Sequence, residues 1–295
     1  MQYWAWRALS AVLARVPLRL AYGLAASGGW VAFWLWPRGR RAMTANYAHI
    51  FPNRRPRAIS ALARRSLMNY VCYLVDFAHM PSRSAAEIAA LTTDDRVFSQ
   101  IGDSTAAGRG VVVVAMHFGI WDWPAAGGAV RGLPVTVVAE TFPDARLDRL
   151  IAGDRRRLGM TVLPLERIGP SIVRTLHKGG VLALLVDRPG LPGDIEVPFF
   201  GRLVAFPAGP ARLALQTGSA IVPLCAIRTD RWRPEARVEA DFTIAVERTT
   251  DLEADIRRVT AAVVAAHERY IRRYPAQWYM FRAMFPSHGG NGDAR

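Results

Sequence analysis

Lysine is almost absent from this 295-residue chain: of 38 basic residues only Lys178 is a lysine. The formal charge of +14 at pH 7 is therefore carried by arginine. Such a surface attracts polyanions of any kind, among them nucleic acid, anionic lipid headgroups and phosphate-bearing carriers. An arginine bias also follows from genomic composition, so the charge alone selects no partner.

Cysteine is nearly as scarce. Cys72 and Cys225 stand far apart, which excludes a disulfide framework and a cysteine-pair zinc site and suits a cytosol-facing protein. His49, His79, His177, His267 and His288 are scattered without a His-Glu-x-x-His spacing, and no metal is expected. A Gly-x-Ser-x-Gly nucleophile turn is missing, against a serine hydrolase. The arginines are dispersed and accompany no base-reading element, so nucleic acid is not an expected partner. A hydrophobic content of 51% excludes a disordered chain. Neither an internal repeat nor a linker long enough to divide the chain is visible.

Long apolar runs are lacking too. Residues 20–36 carry no charge, but the run falls short of the roughly 20 apolar residues that cross a bilayer as a helix. Gly23, Gly28 and Gly29 weaken it further. Trp4, Trp6, Trp30, Trp34 and Trp36, with Arg7, Arg15, Arg19, Arg38, Arg40 and Arg41 around them, suit a water–lipid boundary. Residues 1–41 are therefore expected to form a lipophilic helical arm, tilted or monotopic, on an anionic membrane surface. A buried helix pair is the competing reading. A cleaved signal fits less well, because no small-x-small site follows the run.

Beyond the arm, residues 57–79 place apolar side chains at three- and four-residue spacing and predict a helix with a wide buried face. The period then changes. Residues 110–116, 134–139, 160–165, 181–186 and 220–227 are short apolar runs without polar alternation, as in strands covered on both faces. Helical stretches at 144–158, 169–177 and 207–217 separate them. Residues 238–246 alternate like a half-exposed strand, and 252–274 read as a long amphipathic helix. This alternation predicts an α/β fold with a central, mostly parallel sheet flanked by helices. Residues 42–286 form one catalytic domain in this reading, with a loose polar tail at 287–295.

His117 and Asp122 are the sharpest local feature. They follow the 111–115 strand, at the end where α/β sheets place functional groups. A turn at Gly119 and a helix from about Trp121 would bring the Asp122 carboxylate to the His117 ring. It would fix the tautomer there and leave the other nitrogen to take a proton from an attacking hydroxyl. A buried histidine bonded to a backbone carbonyl is the bland alternative.

Several blocks recur in a familiar order: Asn46-Tyr47 and Phe51-Pro52; His117-Phe118-Gly119-Ile120-Trp121-Asp122; Val138-Ala139-Glu140 followed by Arg155 and Leu158-Gly159. Leu185-Val186-Asp187-Arg188, Glu196-Val197-Pro198-Phe199-Phe200-Gly201, Pro207-Ala208-Gly209-Pro210 and Gln277-Trp278-Tyr279 complete the series. In their order and spacing the chain resembles the lysophospholipid acyltransferase superfamily. Within it, the likeness is to the branch holding lipid A lauroyl and phosphatidylinositol mannoside acyltransferases. Pro189-Gly190 departs from the pattern, since relatives often carry Asp and an apolar residue there.

The resemblance implies a membrane-associated acyltransferase at the cytoplasmic face. It would move a fatty acyl group from acyl-CoA or acyl carrier protein to a hydroxyl of a glycolipid or lysolipid, as a monomer and without a further cofactor. It implies His117 as base with Asp122, and site roles for Glu140, Arg155 and Glu196. Arg155 and Arg188 suit phosphates, because a guanidinium presents a planar fork of donors; a structural ion pair, for Arg188 with Asp187, is their alternative. Glu196 either orients an acceptor hydroxyl or is a surface carboxylate. Phe118, Trp121, Trp123, Phe199, Phe200 and Phe206 are candidates to line an acyl groove, two or three of them in practice, the rest filling the core. A non-catalytic basic lipid-binding protein would use the same arm, arginines and groove.

Overall fold

Three prolines divide the amino-terminal part of the chain. Pro17 precedes α2, and Pro37 and Pro56 occupy the first turns of α3 and α4, where a missing N–H costs nothing. The computed structural model describes residues 2–13, 15–139, 141–165, 169–188 and 193–285. The tail from 287 lies outside them.

Helices α1 (Gln2–Leu13), α2 (Leu18–Leu35), α3 (Pro37–Ile50) and α4 (Pro56–His79) come first. The helix expected at 57–79 is α4, and its Ile59, Leu62, Ala63, Ser66 and Leu67 are buried. Helix α2 lies close on α4: a Cβ at Gly29 would stand 2.8 Å from the Met68 Cα. Tyr22 and Phe33 of α2 are buried against the domain, while Leu20, Leu24, Trp30, Trp34 and Leu35 are exposed, as are Trp4, Leu9 and Val12 of α1. Helix α2 is thus buried along one side and apolar on the other, while α1 has no buried residue. No helix among the described residues is long and apolar enough to cross a membrane. Helix α3 runs unbroken through residue 41, so no structural break marks the expected arm boundary.

The chain continues with α5 (Ala85–Leu91), held by a Ser84–Glu87 capping box, then β1 (Thr92–Thr93), α6 (Asp95–Ala106), β2 (Val111–Ala115) and α7 (Asp122–Val130). Strands β3 (Val135–Ala139), β4 (Thr161–Pro164) and β5 (Val181–Leu185) alternate with α8 (Ala145–Arg157) and α9 (Pro170–His177). A hairpin of β6 (Asp194–Phe199) and β7 (Arg202–Pro207) leads to α10 (Gly209–Thr217), β8 (Ala220–Arg228), β9 (Ala236–Ala240) and α11 (Leu252–Arg273).

The main sheet has the order β1-β9-β8-β2-β5-β3-β4 and is parallel except for the β8–β9 pair. Helices cover both faces, as the apolar runs predicted. Strand β2 divides two cores. Val112, Val114, Met116 and Phe118 face one, shared with α3, α4, α10 and α11, and Val111 and Val113 face the other, shared with α6 and α7. One expectation needs correction: the strand predicted at 238–246 ends at Ala240. Asp241 accepts the N–H and hydroxyl of Thr243 and pairs with Arg269, which turns the chain out of the sheet.

Candidate active site

Strands β2 and β5 are neighbours and parallel, with Ala115 opposite Leu185. His117 and Asp187 each stand two residues beyond that pair, at the carboxyl ends of the strands. The ring Nδ1 of His117 lies 2.7 Å from Asp187 Oδ1, and the His117 backbone N–H donates to Asp187 Oδ2 at 3.0 Å. Asp187 is wholly buried, whereas the His117 side chain keeps 12% of its surface. Burial works to raise the Asp187 pKa. The His117 charge and the hydrogen bonds it receives overcome burial and hold the carboxyl below its ordinary range. A buried carboxylate fixed at two points sets the tautomer and ring plane of the histidine.

The loop after His117 is clamped from both sides. Gly119 has φ +57° and a Cβ there would stand 1.8 Å from the Ala226 carbonyl oxygen, so only glycine fits. Its N–H donates to the Gln277 carbonyl, the Ile120 N–H to Ala226, and the Tyr279 N–H to the His117 carbonyl. The 275–284 segment is in turn fastened by the early block. Tyr47 donates to the Pro275 and Trp278 carbonyls, Ser66 to Trp278, and Asn46 both donates to Arg282 and accepts from Met284. The Asn46-Tyr47 and Gln277-Trp278-Tyr279 blocks therefore hold the loop that carries His117 in place.

The expected hydrogen bond between His117 and Asp122 is not formed. Asp122 opens α7, as predicted, but its carboxylate turns away to other partners. Tyr73 donates to Oδ2 at 2.6 Å, and Arg155 donates to Oδ1 through Nη2 at 2.6 Å and Nε at 3.2 Å. Burial, then the Asp122 charge, pushes the Tyr73 hydroxyl well above its usual pKa, so it stays a donor. For Arg155 burial pulls the pKa down, and Asp122 more than compensates. Trp121 stacks on Tyr73 at 3.8 Å and meets the His117 ring edge-on at 5.1 Å. Asp122 reaches the histidine only through this aromatic packing.

A narrow apolar slot runs from Trp121, Asp122 and Arg155 beneath α7, over Val113, Ala115, Val137, Ala183 and Leu185, to Phe98, Ile101 and Leu133. Ala115 and Leu185, each two residues before His117 and Asp187, line the slot, and alternation along β2 keeps Ala115 on the side of Val113; His117 and Asp187 themselves are not among the lining residues. The same alternation sends Phe118 into the opposite core, fully buried, so it lines no groove near His117. Phe200 is also displaced: it forms the β6–β7 turn at φ +48°, under Arg272 and beside Phe285. Trp123 and Phe199 fill the core, and Phe206 borders a separate recess beside α10. Of the six aromatic candidates Trp121 lines the slot.

Glu196 does not join the site. It is exposed on β6, where Val197 and Phe199 alternate inward, and its backbone carbonyl accepts from Arg257. It hydrogen-bonds neither His117 nor Asp187 among the described residues. Glu140 lies outside the described residues. Arg188 is exposed beyond β5, close enough for its charge to act on Tyr70. Asp187 was not foreseen as the partner of His117, because strand adjacency is not written in chain order. No group of three metal-ligating side chains occurs among the described residues.

The model of the bacterial lipid A biosynthesis acyltransferase family matches residues 1–286. The chain belongs to this family. It is 29% identical over 226 residues to a phosphatidylinositol mannoside acyltransferase of Mycolicibacterium smegmatis, covering 75% of this chain and 71% of that protein. A Mycobacterium tuberculosis protein of the same name is 28% identical over 225 residues, 74% of this chain and 68% of its own. The fold and the family together make this an O-acyltransferase. His117 and Asp122, five residues apart, have different partners in this geometry.

Proposed function

We propose that this acyltransferase moves a fatty acyl group from a thioester, on coenzyme A or acyl carrier protein, to a hydroxyl of a glycolipid or lysolipid at a membrane surface. The observation that carries the reading is the His117–Asp187 pair beside an apolar slot. With Nδ1 held by Asp187, Nε2 has no hydrogen-bond partner among the described residues and takes the proton from the acceptor hydroxyl. The oxygen attacks the thioester carbonyl. Collapse of the tetrahedral intermediate expels the thiolate, which recovers the proton from the imidazolium. Asp187 stays ionised throughout and stabilises the imidazolium, so no acyl-enzyme is needed. The slot takes the acyl chain, and Tyr73 and Arg155 fix Asp122 and Trp121 at its mouth.

The names of the mycobacterial relatives favour a glycolipid acceptor. Arg188 at the rim of the site suits a phosphate of donor or acceptor. The exposed apolar side of α1 and α2 supports a peripheral or monotopic seat on the membrane, and two unpaired cysteines suit the cytosolic side.

The test is incubation of the detergent-solubilised protein with palmitoyl-coenzyme A and a panel of lysophospholipids and mannosylated phosphoinositides, following thiol release and acylated product. A new acyl ester made by wild type and not by His117→Ala establishes the reading and names the acceptor. Failure with both coenzyme A and carrier-protein donors across the panel overturns it.

A further inference from the structure

A recess of about 870 Å³ lies away from His117, between α2, α4 and the turn joining β8 to β9. Its size falls within the roughly 300–1,000 Å³ of small-molecule sites. Arg65 of α4 and Arg231 of the turn stand exposed at its rim. Among the described residues neither forms an ion pair. Arg231 stacks on Trp232 at 4.9 Å, and Trp30 of α2 completes the rim, 48% exposed.

Tyr279 is 5% exposed, and its hydroxyl has no hydrogen-bond partner. That hydroxyl is closed off from solvent, with the ring packed against Tyr70, Tyr73 and Trp121, so it faces no ligand in the recess. Arg228 lines the floor but is committed to Asp76, its Nε 3.0 Å from the carboxylate. Asp230 opposes the arginines, with Oδ1 accepting the Trp232 N–H. The free charge of the rim is thus positive. The recess opens along the face of α2 that carries Trp30 and Val31 and adjoins the exposed apolar side of the arm.

We propose that this recess binds the phosphodiester headgroup of an anionic phospholipid, with Arg65 and Arg231 on the phosphate and the lipid's apolar part along α2. The site is distinct from the acyl slot, and the proposal rests on the reading that α1 and α2 lie on a membrane. Two rim arginines near an anionic headgroup give at least about a tenfold gain in affinity.

The experiment uses the full chain, vesicles of phosphatidylcholine with and without 30% phosphatidylglycerol, and titration calorimetry with dihexanoylphosphatidylglycerol below its micelle concentration. Arg65→Ala/Arg231→Ala is compared with the charge-matched Arg96→Ala/Arg174→Ala on α6 and α9. The site requires saturable binding of the short-chain lipid, lost about tenfold or more in the first pair and nearly unchanged in the second. Equal losses in both pairs would reduce the effect to diffuse charge and overturn the site, as would competition by inorganic phosphate at the same concentration as the lipid. Vesicle binding without short-chain lipid binding leaves the membrane reading and removes the site. The reverse keeps the site and removes the membrane reading.

Discussion

Asp187 holds His117 at two points, the ring Nδ1 at 2.7 Å and the backbone N–H at 3.0 Å, because β2 and β5 pair in register. Ala115 and Leu185, two residues before them on the same strands, line the apolar slot. Orientation of the His117 ring is thus a property of the sheet, not of the short helix that begins at Asp122.

One prediction concerns the tautomer. Nitrogen-15 spectra of histidine-labelled protein should show the His117 proton on Nδ1 in wild type and in Asp122→Asn, with the preference lost in Asp187→Asn. Loss in Asp122→Asn alone would return the orienting role to Asp122.

Tyr73→Phe removes one of the hydrogen-bond donors to the Asp122 carboxylate. A hydrogen bond to a charged group contributes about 1.5–3 kcal/mol, so urea unfolding should show a loss in that range. The His117 tautomer should be unchanged. A loss below about 0.5 kcal/mol would mean that Arg155 alone satisfies Asp122.

His267, buried on α11, has its pKa lowered to about 4, first by burial, with Asp187 and the Val114 carbonyl pulling the other way. It is neutral in the fold and charges in the unfolded chain. Its contribution to stability is complete above about pH 6.5 and is lost as pH falls to about 4, roughly 3 kcal/mol in all. Asp76 acts in the opposite sense. Burial raises it to about 6 despite Arg228, so its contribution shrinks as pH rises from the ordinary carboxylate range to about 6. The difference between wild type and His267→Gln isolates the histidine. That difference should fall between pH 6.5 and 4, and a flat difference would show that His267 does not titrate as described.

Gly128 borders the slot from α7, and a Cβ there already stands 3.3 Å from Val135 and 3.4 Å from Leu133. Gly128→Leu should shorten the slot. The rate with sixteen-carbon donors is expected to fall about tenfold or more relative to eight-carbon donors, following about 0.8 kcal/mol per methylene no longer buried. Equal losses for both lengths would place the acyl chain elsewhere.

Much of the architecture was legible because apolar runs without alternation belong to strands covered on both faces, and β2, β3, β4, β5 and β8 all carry that mark. The turn at Gly119 and the helix from Asp122 were legible for the same local reasons. Asp187 was not, because β5 lies beside β2 only after the chain has passed through β3 and β4. The role of Tyr73 was hidden likewise: α4 showed its periodicity but not that one tyrosine would meet Asp122. Phe118 could have been assigned to the core from parity alone, since it shares the β2 face of Val112 and Val114 while His117 shares that of Val113. Glu196 falls to the same reasoning, opposite in parity to the buried Val197 and Phe199.

The steady-state rate of acyl transfer by Asp187→Asn tests the mechanism most directly. A base that has lost its orienting carboxylate should show kcat lowered about 10²- to 10⁴-fold, with the donor KM within about threefold of wild type and the fold intact by circular dichroism. A kcat within about threefold of wild type would contradict the account, leaving His117 to work without Asp187 or the proton to leave by another group.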